Sequence, residues 1–265
     1  MSDEPGPLVD NIAPIEGPTC ALCEAPLAET DRFCRRCGGR VQLDEELGIV
    51  SRKWDSVRQL LLFFIVESII CACSDIKAFH SLSGLITFDV MAAVLAIVFV
   101  GLNWSSCKAL LVWNNFSIGR LLVYCVIAVV AACMVNFTVD WLNERLFAKQ
   151  MSYYAFFAPH RHAILLTIFF IAITPALFEE LAFRAFLLGK LLMVTERNQA
   201  AVISGFMFAI MHMSFISLFW LVPFGILLGY IRIRQNTIWY GSCIHFCFNL
   251  TACVIEIIQF GRTHG

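Results

Sequence analysis

The first polar residues that could do chemistry lie in the apolar sequence ITPALFEELAFRAFLL. Ionisable groups at membrane depth are costly, so they mark a partner or a function. Glu180 and Arg184 are four residues apart, which places them on one face of a helix where they can neutralise each other. Glu179 points about 100° away from Glu180 and has no partner in its own segment. A purely structural ion pair remains an alternative for Glu180 and Arg184.

Two further apolar segments carry histidines at helical spacing. Phe208 precedes His212 by four residues in GFMFAIMHM, and His245 precedes Asn249 by four in IHFCFNL. If the three helices pack together, one Glu, two His and one Asn converge in a cleft. That set offers a base for water, a partner for the proton and donors for a tetrahedral oxyanion. Each His or Asn taken alone could instead be a hydrogen bond between membrane helices.

No Ser or Cys lies in a recognisable activating motif, so attack by an activated water is the more economical interpretation. The predicted chemistry is therefore non-covalent hydrolysis. Zinc would accept Glu179, His212 and His245 as ligands, but Asn249 is a poor zinc ligand and no HExxH motif is present. The presence of a catalytic metal stays open at this point.

The composition indicates which elements must position these residues. The chain is 59% hydrophobic and 15% charged, which is typical of a membrane protein. We predict an all-α, polytopic transmembrane bundle with seven spans, or eight if the run containing Pro175 is divided. The predicted spans are residues 57–73, 85–102, 119–137, 163–188, 199–214, 216–232 and 238–259. Segment 140–162 suits an interfacial helix or covering loop.

The charge pattern bears on partners and orientation. The net charge of −1 provides no basic field, so nucleic acid is not expected as a partner, whereas membrane lipids are. Lys and Arg are more frequent in the loops that lie inside when the N-terminus is cytoplasmic. The acidic start MSDEPGPLVD lacks the features of a cleavable signal. We predict a multi-pass integral membrane protein with a cytoplasmic N-terminus.

The first 50 residues differ from the remainder in being polar and rich in cysteine. Cys20-x2-Cys23 and Cys34-x2-Cys37 can place four thiolates around one zinc ion. Glycines after the second pair allow backbone N–H groups to turn toward the sulfurs, whereas Glu24 follows the first pair. The pattern resembles a small zinc ribbon with structural zinc, and a disulfide pair or a redox dithiol is the alternative.

The motifs EELAFR, FAIMH and HFCFN, in this order, resemble those of the CPBP intramembrane proteases, also called the ABI or CAAX-protease family. That family includes the type II CAAX prenyl endopeptidases and lysostaphin-resistance-type bacterial proteins. The resemblance implies that Glu179, helped by His212, activates water, and that His245 and Asn249 bind the developing oxyanion. It further implies that Glu180 and Arg184 support the helix as an ion pair, while Phe208 shapes the pocket.

These expectations define a domain layout and a function. We predict a disordered N-terminus at 1–17, a ribbon at 18–41, a linker at 42–56 and a transmembrane bundle at 57–260, with the protease-like core at 160–255. The predicted function is an intramembrane endopeptidase, of glutamate or metallo type, acting on a membrane-anchored or lipidated protein. The alternatives are a non-catalytic scaffold or immunity-type protein whose ribbon recruits a soluble partner, and an ion or proton pathway.

Overall fold

The computed structural model describes residues 19–20, 22–28, 31, 33–39, 43–74, 76, 80–113, 116–146 and 153–264. Over these ranges the secondary structure is helical, with isolated β-bridges in place of strands. The described residues fall into two compact units that divide between Trp54 and Asp55. The predicted all-α class is confirmed. The predicted disordered N-terminus at 1–17 lies outside the described residues, as do residues 147–152 of the predicted interfacial segment.

Nine helices are present in the described part of the chain. They are α1 (Leu43–Ser74), α2 (Leu82–Leu102), α3 (Trp104–Cys107), α4 (Ile118–Leu146), α5 (Tyr153–Phe157), α6 (Ala163–Val194), α7 (Arg197–Met211), α8 (Leu218–Gln235) and α9 (Trp239–His264). A 3₁₀ turn at Lys108–Leu111 extends α3.

Five of these helices are long and apolar enough to cross a membrane, namely α1, α2, α4, α6 and α9. The expected count of seven or eight spans is therefore not confirmed. The two segments predicted as spans 199–214 and 216–232 correspond to α7 and α8, which are not among the five helices long and apolar enough to cross a membrane. The 15 residues of α7 extend about 22 Å, which is less than the roughly 30 Å of a bilayer core. The run containing Pro175 is one long helix, α6.

Helix α6 contains two π-helical stretches, Ile168–Ile173 and Glu180–Leu187, on either side of Pro175. Proline has no N–H to donate to the carbonyl four residues earlier, so the regular α-helical ladder cannot continue through it. π-Bulges widen a helix locally and are frequent at functional sites. The irregular helix is thus the one that carries both glutamates.

Helix α6 is held against α1 and α2 by aromatic side chains. The fully buried ring of Phe63 meets Phe99, Phe183 and Phe186 with centroid distances of 5.4, 6.1 and 5.3 Å. Edge-to-face pairs of this kind add to the stabilisation from buried apolar area. The aromatic cluster positions the π-helical half of α6 within the bundle.

Glycines set the crossing of α7 and α8. A Cβ atom at Gly225 would lie 2.9 Å from Cα of Gly205, and one at Gly229 would lie 3.4 Å from Cα of Ala201. Gly225 and Gly229 therefore permit the close approach of these two helices. This contact brings the backbone of α8 within reach of Arg184.

The short helix α5 packs over α6 and α9. Phe157 is buried and its ring stacks on Phe170 at 6.3 Å. The backbone N–H of Tyr154 donates to Oε2 of Glu256 at 3.0 Å. Glu256 on α9 therefore caps the start of α5.

Candidate active site

Glu180 is fully buried and joins two helices. Its Oε1 atom lies 3.4 Å from Nη1 of Arg184 and 3.3 Å from Nδ1 of His245. Arg184 is fully buried as well, and its Nη2 donates to the carbonyl of Gly225 at 3.4 Å. The guanidinium carbon lies 4.4 Å from the ring centre of Phe208, within cation–π range. One carboxylate thus holds a cation from its own helix and an imidazole from α9.

Gly241 is a site residue that the sequence analysis missed. It is buried one turn before His245 on α9, and a Cβ atom there would lie 2.6 Å from Oε2 of Glu180. That contact is too close for real atoms, so the missing side chain is what allows Glu180 to reach the histidine. A glycine four residues before a candidate histidine, and so on the same helix face, was the available signal.

Glu179 approaches His245 from the other side of the imidazole. Its Oε2 atom lies 3.8 Å from Nε2 of His245, which is longer than a hydrogen bond. Among the described residues this Oε2 has no hydrogen-bond partner although it is buried, while 30% of the side chain remains exposed. Glu179 also lines a pocket of about 150 Å³ between α1, α2 and α6. Oε2 of Glu180 also lacks a partner, but Glu180 is fully buried, so Glu179 is the member of this pair that lines a pocket.

His212 ends α7 and is exposed. Its Nδ1 atom lies 3.1 Å from the carbonyl oxygen of Phe208. A carbonyl can only accept, so Nδ1 carries the proton and Nε2 is left as an acceptor. The ring of Phe208 contacts both His212 and His245 edge-on, with centroid distances of 5.0 and 5.8 Å. In the described part of the chain, no hydrogen bond or ion pair connects His212 to Glu179.

Asn249 lies one turn beyond His245 on α9 and is partly buried. Its Nδ2 donates to the carbonyl oxygen of Ile171 at 2.9 Å. Ile171 is the residue four positions before Pro175, whose missing N–H cannot serve that carbonyl. Asn249 therefore supports the irregular backbone of α6, and its amide group retains a second N–H.

The predicted residues thus come together to different degrees. Direct polar contacts join His245 to both glutamates and Glu180 to Arg184. His212 reaches the group through the ring of Phe208. The side chain of Asn249 contacts α6 at the backbone carbonyl of Ile171.

The four cysteines of the N-terminal unit form a separate group. Sγ of Cys20 lies 3.6 Å from Sγ of Cys37, and Sγ of Cys23 lies 3.5 Å from Sγ of Cys34. All four sulfurs lie within 4.8 Å of one another. A tetrahedral site with zinc–sulfur bonds of about 2.3 Å separates its sulfurs by about 3.8 Å. The group fits a zinc-ribbon-like module and could hold one metal ion.

Both cysteine pairs adopt the same backbone turn. The N–H of Glu24 donates to the carbonyl of Cys20, and the N–H of Gly38 donates to that of Cys34, each at 2.8 Å. Glu24 and Gly38 have φ angles of 57° and 74°. This left-handed conformation favours glycine, so Glu24 adopts it at some cost.

The backbone also tunes the thiols unequally. Backbone N–H groups of Cys37 and Arg36 lower the pKa of Cys34 to about 6. For Cys23 a backbone hydrogen bond at Ala25 lowers the pKa, but desolvation and the neighbouring thiols outweigh it and raise the pKa to about 12. Cys34 is thus the more acidic of these two thiols. A metal cation that binds the group would displace the protons of the remaining thiols.

Comparison with known proteins connects the membrane site to a family. Residues 161–251, about a third of the chain, match the model of the family described as Type II CAAX prenyl endopeptidase Rce1-like. No curated protein and no solved structure matches the chain. The matched segment runs from the start of α6 into α9 and includes all six residues proposed from the three motifs. The predicted resemblance is therefore confirmed: over residues 161–251 the chain is similar to the Rce1-like CAAX prenyl endopeptidase family.

Proposed function

We propose that this protein is an intramembrane endopeptidase in which Glu179 activates water to hydrolyse a peptide bond of a membrane-anchored or lipidated protein. The observation that carries the proposal is the buried Oε2 of Glu179, which has no hydrogen-bond partner among the described residues and lies 3.8 Å from Nε2 of His245. One water molecule can lie within hydrogen-bond distance of both atoms at once. The family match over residues 161–251 supports the reaction class.

His245 lies between two carboxylates. Its Nδ1 atom faces that of Glu180 and its Nε2 atom faces that of Glu179. Carboxylate oxygens accept hydrogen bonds, so the imidazole is placed to donate toward them. The Nε2–H of His245 donates to the oxyanion when a substrate carbonyl enters.

The remaining residues act around this centre. Nε2 of His212, left as an acceptor by the Nδ1 bond to Phe208, orients the attacking water. The second N–H of Asn249 donates to the oxyanion, while its bond to Ile171 holds the amide in place.

The reaction then proceeds in two steps. Glu179 takes a proton from water as the water oxygen bonds to the carbonyl carbon, which forms the tetrahedral intermediate. The carbon–nitrogen bond breaks as Glu179 passes that proton to the leaving amine. Every proton is accounted for, and no covalent enzyme intermediate forms.

The type of hydrolase is glutamate-dependent, with zinc confined to the ribbon. Among the described residues, the four cysteines are the group with ligand atoms close enough for one ion, and the glutamates and histidines of the membrane site are outside it. Cys20, Cys23, Cys34 and Cys37 hold the zinc, whose contribution is to stabilise the ribbon.

The test is cleavage of membrane-anchored and farnesylated peptides by the purified protein in nanodiscs. We expect Glu179→Gln to lower kcat by about 10²–10⁴-fold, since it removes the general base at constant shape. The matched control is Glu196→Gln, at an exposed position that follows α6. Equal cleavage by wild type and Glu179→Gln would contradict the role of Glu179. Activity lost on chelation while the ribbon keeps its metal would contradict the glutamate type.

A second candidate function is a scaffold that recruits a soluble partner through the ribbon. The observation in its favour is the exposure of two large apolar side chains on this small module, Leu22 at 78% and Phe33 at 51%.

The ribbon lies on the cytoplasmic side in this proposal, as it does in the endopeptidase. Reaction of Cys37 with an impermeant thiol reagent in metal-depleted inverted vesicles, but not in right-side-out vesicles, tests that orientation. If cells that produce the Glu179→Gln variant keep the same signalling or immunity as cells that produce the wild type, the scaffold function is favoured.

A further inference from the structure

A second group of carboxylates lies beside the candidate active site. The pocket of about 150 Å³ that Glu179 lines is closed by α1, α2 and α6. Each helix contributes one acid to its wall, Glu67 from α1, Asp89 from α2 and Glu179 from α6. In the described part of the chain no Lys, Arg or His lines this pocket. Three acids around one small space are an unusual arrangement for the interior of a membrane bundle.

Glu67 is the side chain that most needs a ligand. It is 8% exposed, and its Oε2 atom is buried without a hydrogen-bond partner among the described residues. Asp89, by contrast, accepts a hydrogen bond of 3.0 Å from the hydroxyl of Thr174. A buried carboxylate oxygen without a donor loses the hydration it had in water. The pocket therefore presents one carboxylate that already accepts a hydrogen bond, Asp89, and two whose Oε2 atoms have no donor among the described residues, Glu67 and Glu179.

The spacing of the acids favours an extended cation over a single metal ion. The ligand atoms of Glu67, Asp89 and Glu179 do not form one of the groups within 4.8 Å found among the described residues. An alkylammonium group has three N–H donors on a slim apolar stem, which suits separate carboxylates lined by apolar side chains. The apolar wall includes Ile70, Phe88 and Phe178. The pocket of about 150 Å³ has room for such a group.

We propose that this pocket binds the cationic side chain of a lysine or arginine next to the scissile bond of the substrate. Glu179 belongs both to the pocket and to the pair with His245, so a side chain held here places its own backbone beside the activated water. Glu67 and Asp89 thereby determine substrate specificity. The inference rests on the proposed endopeptidase function and names the class of substrate that it prefers.

The first test measures occupancy without any substrate. The wild-type protein in nanodiscs is treated with a hydrophobic carbodiimide, which modifies buried protonated carboxyl groups, and the modification of Glu67 is read by peptide mass. We expect n-butylguanidinium, a cation that does not couple to activated carboxyl groups, to protect Glu67 because a bound cation keeps the carboxylate ionised, and the neutral n-butylurea of similar size to give no protection. Modification of Glu256, which lies outside the pocket, serves as the internal reference. Equal modification of Glu67 with both additives overturns the proposal.

The second test measures specificity. Membrane-anchored peptides that carry lysine or the neutral isostere norleucine beside the scissile bond are compared by kcat/KM. We expect wild type to prefer lysine by on the order of tenfold or more, since a polar site discriminates strongly against a ligand that lacks its donor. In Glu67→Gln and Asp89→Asn the ratio should move toward one, whereas Glu256→Gln should keep the wild-type ratio.

The outcomes separate this inference from the proposed function. Glu179-dependent cleavage with a ratio near one in wild type overturns the specificity pocket and leaves the endopeptidase. Failure to cleave every peptide counts against the endopeptidase, and the carbodiimide result then decides by itself whether the pocket binds a cation.

Discussion

The cysteine ribbon and the membrane site are built at different ranges of the chain. Cys20 and Cys37, the outermost cysteines of the ribbon-like group, are 17 residues apart, and the turn that presents each pair is made by hydrogen bonds within a few residues. Glu180 and His245 are 65 residues apart and meet only because α6 and α9 pack together. The four-cysteine group therefore depends on local turns, whereas the membrane site depends on helix packing.

The largest expected effect is loss of the ribbon when one metal ligand is removed. Cys34→Ser should abolish metal binding and unfold the module, since structural zinc contributes about 10–16 kcal/mol of apparent binding free energy to such folds. Metal content and protease sensitivity of the N-terminal segment measure this. Cys133→Ser, at an exposed cysteine of α4, is the control. A ribbon that stays protected without metal would show that its fold does not depend on the ion.

Removing the charge of Glu180 should have the next largest effect. Glu180→Gln leaves the fully buried Arg184 without its carboxylate, which costs about 3–5 kcal/mol when one partner of a buried pair is lost. The midpoint of thermal unfolding of the bundle in detergent measures it, and Glu196→Gln is the exposed control. Unchanged metal content of the ribbon in the same variant is expected because the two are separate compact units. A stable Glu180→Gln bundle would mean that Arg184 has another counter-charge.

A methyl group at position 241 should disturb the site from within. Gly241→Ala places a Cβ atom 2.6 Å from Oε2 of Glu180, and overpacking of this kind costs about 1–3 kcal/mol. Gly261→Ala on the same helix is a matched control, because a Cβ atom there has nothing within 4 Å. We expect the control to be neutral or stabilising. Both variants are compared by thermal unfolding and by peptide cleavage, and equal behaviour would show that Glu180 has room to move.

The double role proposed for Asn249 can be separated by a mutant cycle with Pro175. Asn249→Ala should destabilise the bundle by about 1–3 kcal/mol, because it leaves the carbonyl of Ile171 unserved. In the Pro175→Ala background a backbone N–H becomes available to that carbonyl, so the loss of stability should shrink. The loss of kcat should persist in both backgrounds. If it disappears with the loss of stability, Asn249 acts on structure alone.

The smallest expected effect concerns the two turns of the ribbon. Glu24→Gly should tighten metal binding by about 1 kcal/mol, since it relieves a left-handed conformation at φ 57°. Gly38→Ala should weaken binding by a similar amount, and its Cβ atom has nothing within 4 Å, so the effect is conformational. Competition with a chromophoric chelator measures both. Changes of the same sign would indicate that the turns are not equivalent.

Much of the fold was predictable because its signals are local. The apolar runs predicted the helices, and the paired cysteine spacing predicted the ribbon-like cluster now seen among the four sulfurs. The number of spans was less predictable, since α7 has an apolar sequence but, at 15 residues, is shorter than a bilayer core. The roles assigned to the individual site residues remain proposals. Gly241 and Glu67 were not among the predicted site residues because neither belongs to one of the three motifs.

The sequence by itself determined that this chain is a helical membrane protein with a four-cysteine module and with ionisable residues at helical spacing in three apolar segments. Composition and spacing of i and i+4 residues are local properties, so they can be read without coordinates. The tertiary structure decided that His245 lies between two glutamates, that Asn249 serves the backbone beside Pro175 and that three helices each bring one acid to a common pocket. These contacts join residues far apart in the chain. They depend on which faces of the helices pack together, and in lipid that choice follows from side-chain shape and polar pairing between helices.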